Sequence, residues 1–311
     1  MENVHPKEFE QIINKARSLN KPLRVAVAGG DSENILKGLF EAVDDGFIDP
    51  ILIGNYEKTM ELLETLGFKD KKYDIQPITD ETNPVQFAIE MVNAGKADAL
   101  MRGNTQTRDF LMPILNKANH LMQEGTILSH VTILKVPDLP KLLAVSDVTI
   151  SVEPSVEQRK LIIKNLVYAL QAFGIEKPNI ALLALVERPS FHMRDTVEAS
   201  TIVMDHQDDP IANCNLVGPI AYDLIVSKEA ARVKGYDCPY CGEFDGIVVP
   251  NLLAGNLIVK ILEKNAGATG AGIIMGAKIP IAITSRADGA SHTYLSLATI
   301  AAMFDKYSEI K

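Results

Sequence analysis

Two short segments set hydroxyl and guanidinium groups side by side in a way that could manage developing negative charge. The first is Thr284-Ser285-Arg286-Ala287-Asp288, which follows an apolar run, with His292 a short distance along. An arginine at a strand end offers a fork of donors for a phosphate or an oxyanion. The plainer reading is a Ser/Thr turn ahead of the last helix. The second is Arg102-Gly103-Asn104-Thr105-Gln106-Thr107-Arg108, which brings hydroxyls, amides and two arginines to the carboxyl end of a predicted strand, where open α/β sheets bind ligands. Its plainer reading is a helix start with Thr105 or Thr107 as N-cap.

Other motifs carry less. Gly29-Gly30-Asp31-Ser32 is a glycine turn after a strand, the setting in which helix amides can hold an anion. It lacks the GxGxxG spacing, and Asp31 stands where a phosphate would go, so it reads as a structural turn. No GxxxxGK[ST] occurs, which argues against a Walker-type site. Cys238-Pro239-Tyr240-Cys241 spells the dithiol of glutaredoxins, where the pair follows an early strand and opens a helix. Here it follows a helix and a Gly-Tyr turn and precedes a strand, so coincidence is the preferred reading. No second CxxC completes a zinc set, although Cys214 is a candidate third ligand, and the six histidines form no ligand pair, so no metal is expected.

The elements that must position these groups alternate. Apolar runs at 23–30, 50–54 and 97–101 each lead into an amphipathic stretch, which is the grammar of a mainly parallel sheet covered by helices. From about residue 125 the alternation starts afresh, with strands near 129–135, 144–152, 180–186, 215–218 and 246–250 and helices near 155–173 and 221–233. A last run at 278–284 leads into a helix at 294–304. The chain has 311 residues, enough for two domains with a cleft between them. The expected division is 1–125 plus 284–311 against 126–283.

Composition narrows the function. Hydrophobic residues make up 47% and charged residues 23%, which is ordinary for a folded globular chain. A formal net charge of −9 argues against nucleic acid as a partner, since such binding needs a basic face. No basic leader with an apolar core and no long apolar span is seen, and only three cysteines are present, so a cytoplasmic protein away from the membrane is expected.

Taken in order, these segments resemble the phosphate acetyl/butyryl-transferase family, and its phosphate butyryltransferase branch most closely. The resemblance runs through Leu128-Ser129-His130-Val131, Val217-Gly218-Pro219-Ile220-Ala221-Tyr222-Asp223 and Pro250-Asn251-Leu252-Leu253-Ala254-Gly255-Asn256. It continues through Gly272-Ile273-Ile274-Met275-Gly276-Ala277-Lys278-Ile279-Pro280 into Thr284-Ser285-Arg286-Ala287-Asp288, in continuous register from about 97 to 301. It implies two α/β domains with mainly parallel sheets around a cleft, related in shape to isocitrate and isopropylmalate dehydrogenases, with the last helix returning to the first domain, and a homodimer. It also implies acyl-CoA plus phosphate giving acyl phosphate plus CoA. Coenzyme A is then substrate and product, with no permanently bound cofactor.

The resemblance assigns roles as well. Ser285 would hydrogen-bond the CoA sulfur and Arg286 would bind phosphate and stabilise the oxyanion. Pro250, Asn251, Gly255 and Asn256 would line the cleft. Gly103, Asn104, Thr105 and Thr107 match a further substrate loop. In the acetyl-transferring branch an aspartate thought to act as base stands where this chain has His292. Butyryl-type members also lack that aspartate, so His292 reads as a base or as a wall of the site. Many relatives carry an arginine where Met112 stands, and Arg108 or Arg102 is expected to replace its charge. The alternatives are a phosphate acetyltransferase, a non-catalytic CoA-binding protein of the same fold, or a dehydrogenase of the related fold.

Overall fold

The structure, a computed structural model, describes residues 5–79 and 81–308. It divides into two compact units, Met1–Gly125 with Gly270–Lys311, and Thr126–Thr269.

The first unit opens with Glu10–Arg17 (α1), Leu23–Ala28 (β1), Glu33–Asp44 (α2), Ile48–Gly54 (β2) and Tyr56–Thr65 (α3). It continues with Asp74–Pro77 (β3), Pro84–Asn93 (α4), Ala99–Arg102 (β4) and Thr107–Leu115 (α5). The second unit runs through Ser129–Lys135 (β5), Leu143–Ser146 (β6), Val156–Ala172 (α6), Asn179–Leu183 (β7), Arg194–Asp208 (α7) and Asn215–Ile220 (β8). Tyr222–Val226 (α8), Lys228–Lys234 (α9), Gly246–Val248 (β9) and Leu252–Asn265 (α10) complete it. Thr269–Met275 (β10), Ile281–Ala282 (β11) and Ala290–Ala302 (α11) then return to the first unit.

Strand order in the first unit is β3-β2-β1-β4-β11-β10, parallel except where β10 pairs with β11. That pairing explains why β10, which the sequence reading assigns to the second domain, goes with unit 1. Strand order in the second unit is β5-β6-β9-β7-β8, parallel except for β5 against β6. The α/β reading with mainly parallel sheets therefore holds. Central strands such as β1 (Leu-Arg-Val-Ala-Val-Ala) are almost wholly buried, as expected when helices cover both faces.

In unit 1, α11 packs against α1 and α2, and residues 293–302 are buried throughout. Such a helix is fixed by packing on every side. Ser296 and Thr299 donate their hydroxyls to the His292 and Leu295 carbonyls at 2.7 Å. Tyr294 donates its hydroxyl to Asp45, which also accepts from Arg17 Nη2 at 2.6 Å, and its ring stacks on His5 with centroids 4.1 Å apart. His5 in turn bonds Glu41 at 2.7 Å and Ser291, at the start of α11, at 3.1 Å. The helix that leads away from the Ser285-Arg286 turn is thus anchored at its base.

In unit 2, Ser155 and Gln158 form a reciprocal capping box at the start of α6, which stops that helix from fraying. The stretch read as one helix at 221–233 is two. Ser227 adopts an extended backbone and its side chain accepts from Ala230 N, so it caps α9 and ends the helix before it. Leu134, Val145, Ile220, Leu224, Phe244, Ile247 and Val259 form the core beneath these helices. Burying each large apolar side chain contributes about 1.5–3 kcal/mol.

Candidate active site

Strands β1, β4 and β11 lie side by side in unit 1, with Ala28 opposite Arg102 and Ala282 opposite Met101. Their carboxyl ends deliver three turns to one edge. The Gly29-Gly30 turn is structural, as its sequence suggests. Its amides are spent on the Ile53 carbonyl, at 2.9 and 3.3 Å, while the Gly29 carbonyl accepts from Asn104 N at 2.7 Å. Gly103 N reaches the Ala28 carbonyl at 2.9 Å, and a Cβ on Gly103 would overlap the Gly29 carbonyl. Only glycine lets these two turns approach so closely.

Arg102 ties the two chemically interesting segments together. Only 5% exposed, it donates from Nε to the Thr105 carbonyl at 3.0 Å and from Nη1 to the Thr284 carbonyl at 3.2 Å. Burial, and then repulsion from Arg286, lowers its pKa below the ordinary arginine value, with Asp288 opposing. Two guanidinium groups therefore feel each other at this edge, which is the electrostatic condition for attracting an anion.

Ser285 is half-buried and Arg286 exposed. Their turn is closed by Asp288, whose Oδ2 accepts from Ser285 N at 2.7 Å, while Asp288 N donates to the Ser285 carbonyl at 3.0 Å. Asn34 Nδ2 donates to the Asp288 carbonyl at 3.1 Å, linking the turn to α2. Arg286 Nη2 donates to Gln106 Oε1 at 3.1 Å. The N-cap of α5 is Gln106 rather than Thr105 or Thr107, and its side chain makes no cap bond. Its amide is committed to Arg286 instead. His292 is half-buried in the first turn of α11.

Asn104 and Arg108 are exposed, and Thr105 and Thr107 half-buried. Helix α5 runs through both Arg108 and Met112 despite Pro113 inside it, so these two side chains are four residues apart on one face. Met112 is 56% exposed, unusual for a large apolar side chain.

Pro250, Asn251, Gly255 and Asn256 belong to unit 2. Asn251 Oδ1 accepts from Ala254 N at 3.0 Å as the N-cap of α10. Asn256 Nδ2 donates to the Val148 carbonyl at 3.2 Å, and a Cβ on Gly255 would stand 2.5 Å from the Asp147 carbonyl. Asp147, 2% exposed, is a group to which the sequence alone assigns no role. Its carboxylate accepts from the amides of His130, Thr149, Ile150 and Ser151 at 2.9 to 3.2 Å and so shapes the loop after β6. Pro250 borders an apolar cavity of about 700 Å³ at the carboxyl ends of β7, β8 and β9, with Leu183, Tyr222, Ile258 and Ile261.

Comparison with known proteins identifies the family. Residues 69–302 match the family model described as phosphate acetyl/butaryl transferase. The chain is 31% identical over 290 residues to a phosphate acetyltransferase of Thermotoga maritima, covering 93% of this chain and 97% of the relative. It is 31% identical over 295 residues to a phosphate butyryltransferase of Clostridium acetobutylicum, covering 95% and 97%. A solved branched-chain phosphotransacylase from Enterococcus faecalis V583 superposes with a TM-score of 0.79 at 28% identity, covering 91% of this chain and 99% of that one. A match spanning both units, carried by a fold that gathers the arginine-bearing turns at one sheet edge, makes this chain a member of the phosphate acetyl/butaryl transferase family.

Proposed function

We propose that this family member transfers an acyl group between coenzyme A and inorganic phosphate, with Ser285 and Arg286 at the reacting centre. One observation carries the assignment: Arg102 and Arg286 lie within electrostatic reach at the carboxyl ends of β4 and β11, on turns bonded to each other. In the reaction a phosphate oxygen attacks the thioester carbonyl, a C–O bond forms, the C–S bond breaks and the thiolate takes up a proton. Such chemistry asks the protein chiefly for positioning and charge stabilisation. Arg286, held by Gln106, is placed to receive phosphate. Ser285, whose amide is fixed by Asp288, presents its hydroxyl to the sulfur. His292 serves as a proton carrier or as a wall of the same site.

Within the substrate loop, Asn104, Thr105 and Thr107 supply polar contacts to CoA or phosphate. Arg108 supplies the charge that Met112 does not, because Arg102 is already spent on main-chain carbonyls. Pro250, Asn251, Gly255 and Asn256 contribute backbone positions to CoA binding. The acyl chain preferred is butyryl or a branched short chain, the preference suggested by the Ser285-Arg286-Ala287-Asp288 and Pro250-to-Asn256 spellings. Acetyl is the alternative, since relatives of both names match equally well. A cytoplasmic location agrees with the absence, among the described residues, of a helix long and apolar enough to cross a membrane. A homodimer agrees with the exposed stripe of Leu253, Leu257 and Ile261 along α10, and sedimentation of a monomer at assay concentrations would remove that part.

The test is purified protein with phosphate and a series of acyl-CoA thioesters from acetyl to valeryl, including isobutyryl and isovaleryl, followed by thiol release. Phosphate-dependent release that peaks at four- or five-carbon chains supports the reading. A peak at acetyl transfers the assignment to the alternative. CoA binding without release from any thioester favours a binding protein.

A further inference from the structure

The Cys238-Pro239-Tyr240-Cys241 segment is not used by the chemistry above, and the structure places it in an ordered turn. Cys241 N donates to the Cys238 carbonyl at 3.4 Å across the turn. The next amide, Gly242 N, donates to the Leu224 and Ile225 carbonyls of α8 at 3.3 and 3.1 Å, which clamps the turn onto that helix. Cys241 is 3% exposed and part of the unit 2 core, while Cys238 is half-buried at its margin. All three cysteines are free thiols.

Residues at the two ends of a β-turn have Cα atoms less than about 7 Å apart, which overlaps the separation of about 4.4–6.8 Å that a disulfide needs. Cys238 is the more exposed of the two, and the turn holds both ends within the backbone separation a disulfide spans.

We propose that Cys238 and Cys241 form a reversible two-electron redox site that closes to an intramolecular disulfide when a peroxide oxidises it. The Cys238 sulfur attacks one peroxide oxygen, so an S–O bond forms, the O–O bond breaks, and the departing oxygen leaves as water with the thiol proton. Cys241 then attacks the Cys238 sulfur. The S–S bond forms, the S–O bond breaks, and the second oxygen leaves as water with the Cys241 proton. Two thiols are oxidised and one hydrogen peroxide is reduced to two waters. Burial, reinforced by Cys238, pushes the Cys241 thiol up to about 11, which leaves the more exposed Cys238 as the sulfur that meets the peroxide first. The site differs from a glutaredoxin dithiol because the turn opens no helix of the kind that activates the first sulfur there. Cys214 is the internal control: buried and pushed up to about 11, it has no cysteine beside it in the turn.

The experiment uses the full chain, reduced, desalted and exposed to hydrogen peroxide, then denatured with a maleimide and weighed intact. The wild type is expected to lose the mass of two hydrogen atoms, to fall from three labelled thiols to one, and to recover all three after dithiothreitol. Cys214→Ser should still lose the two hydrogens. Cys238→Ser, at the half-buried position, should not, and should gain oxygen or stay unchanged. Oxygen adducts alone in the wild type, a full set of labelled thiols after peroxide, or a hydrogen loss that persists in Cys238→Ser would overturn the proposal.

Discussion

Replacing Arg102 by methionine removes a planar fork that holds two turns together, and its effects separate stability from chemistry. The wild-type guanidinium donates to the carbonyls of Thr105 and Thr284 from a site that is 5% exposed. Hydrogen bonds from a charged donor contribute about 1.5–3 kcal/mol each, so losing both removes about 3–6 kcal/mol of interaction. Against this, a buried cation with a lowered pKa is relieved, because methionine carries no charge to desolvate. The net loss of folding stability should be about 1–3 kcal/mol, read as a shift of the urea midpoint at unchanged slope. The kinetic effect should be larger, since both turns carry the proposed reacting groups and an error of about 1 Å in position can cost about a hundredfold in rate. Arg102→Lys keeps the charge but lacks the fork. It should recover part of the affinity for phosphate while kcat stays low. If Arg102→Met turns over normally and unfolds at the wild-type midpoint, the joint between the turns has been misread.

Two further outcomes follow from the same geometry. Arg108→Ala should raise the KM for phosphate or for CoA about tenfold with kcat nearly unchanged, the pattern of a lost binding charge; unchanged constants would remove Arg108 from the site. Tyr294 is held well above its ordinary range, by burial first and then by its bond to Asp45 and that group's charge. Above about pH 10 the unfolded chain loses this proton while the folded one keeps it. Stability should therefore fall as pH rises from about 9 to 11, by at most about 1.4 kcal/mol per pH unit from this group. Denaturation of Tyr294→Phe should show a shallower fall over that window, and identical slopes would contradict the sign.

Much of the architecture is legible in the sequence because alternation, capping and burial act locally. Ser155 and Gln158 announce the start of α6 by type and spacing. Ser227 shows the limit, since the apolar period continues across it while its hydroxyl starts a new helix. The run at 278–284 reads as a full strand, yet only Ile281 and Ala282 pair, because the chain there reverses against β10.

For the site, Ser285 and Arg286 are visible as residue types at a strand end. The bond from Arg286 to Gln106 joins residues 180 apart and exists only once β4 and β11 are neighbours. The turn-closing role of Asp288 is legible too, since an aspartate three residues after a serine is suited to close a turn. The burial of Asp147 is not, because aspartate is rarely buried and the His130 amide, 17 residues before it, reaches it only once β5 and β6 pair.

The most direct measurement is of the products. Butyryl-CoA and phosphate would be incubated with the protein, and acyl phosphate trapped with hydroxylamine alongside free CoA thiol, for the wild type and for Arg286→Ala of verified fold. Equal amounts of the two products are predicted for the wild type, with kcat/KM lowered about a hundred- to a thousandfold in the variant, the usual cost of losing one preorganised charge-stabilising donor. Thiol without acyl phosphate, or a variant that keeps the wild-type rate, would contradict phosphate transfer at Arg286.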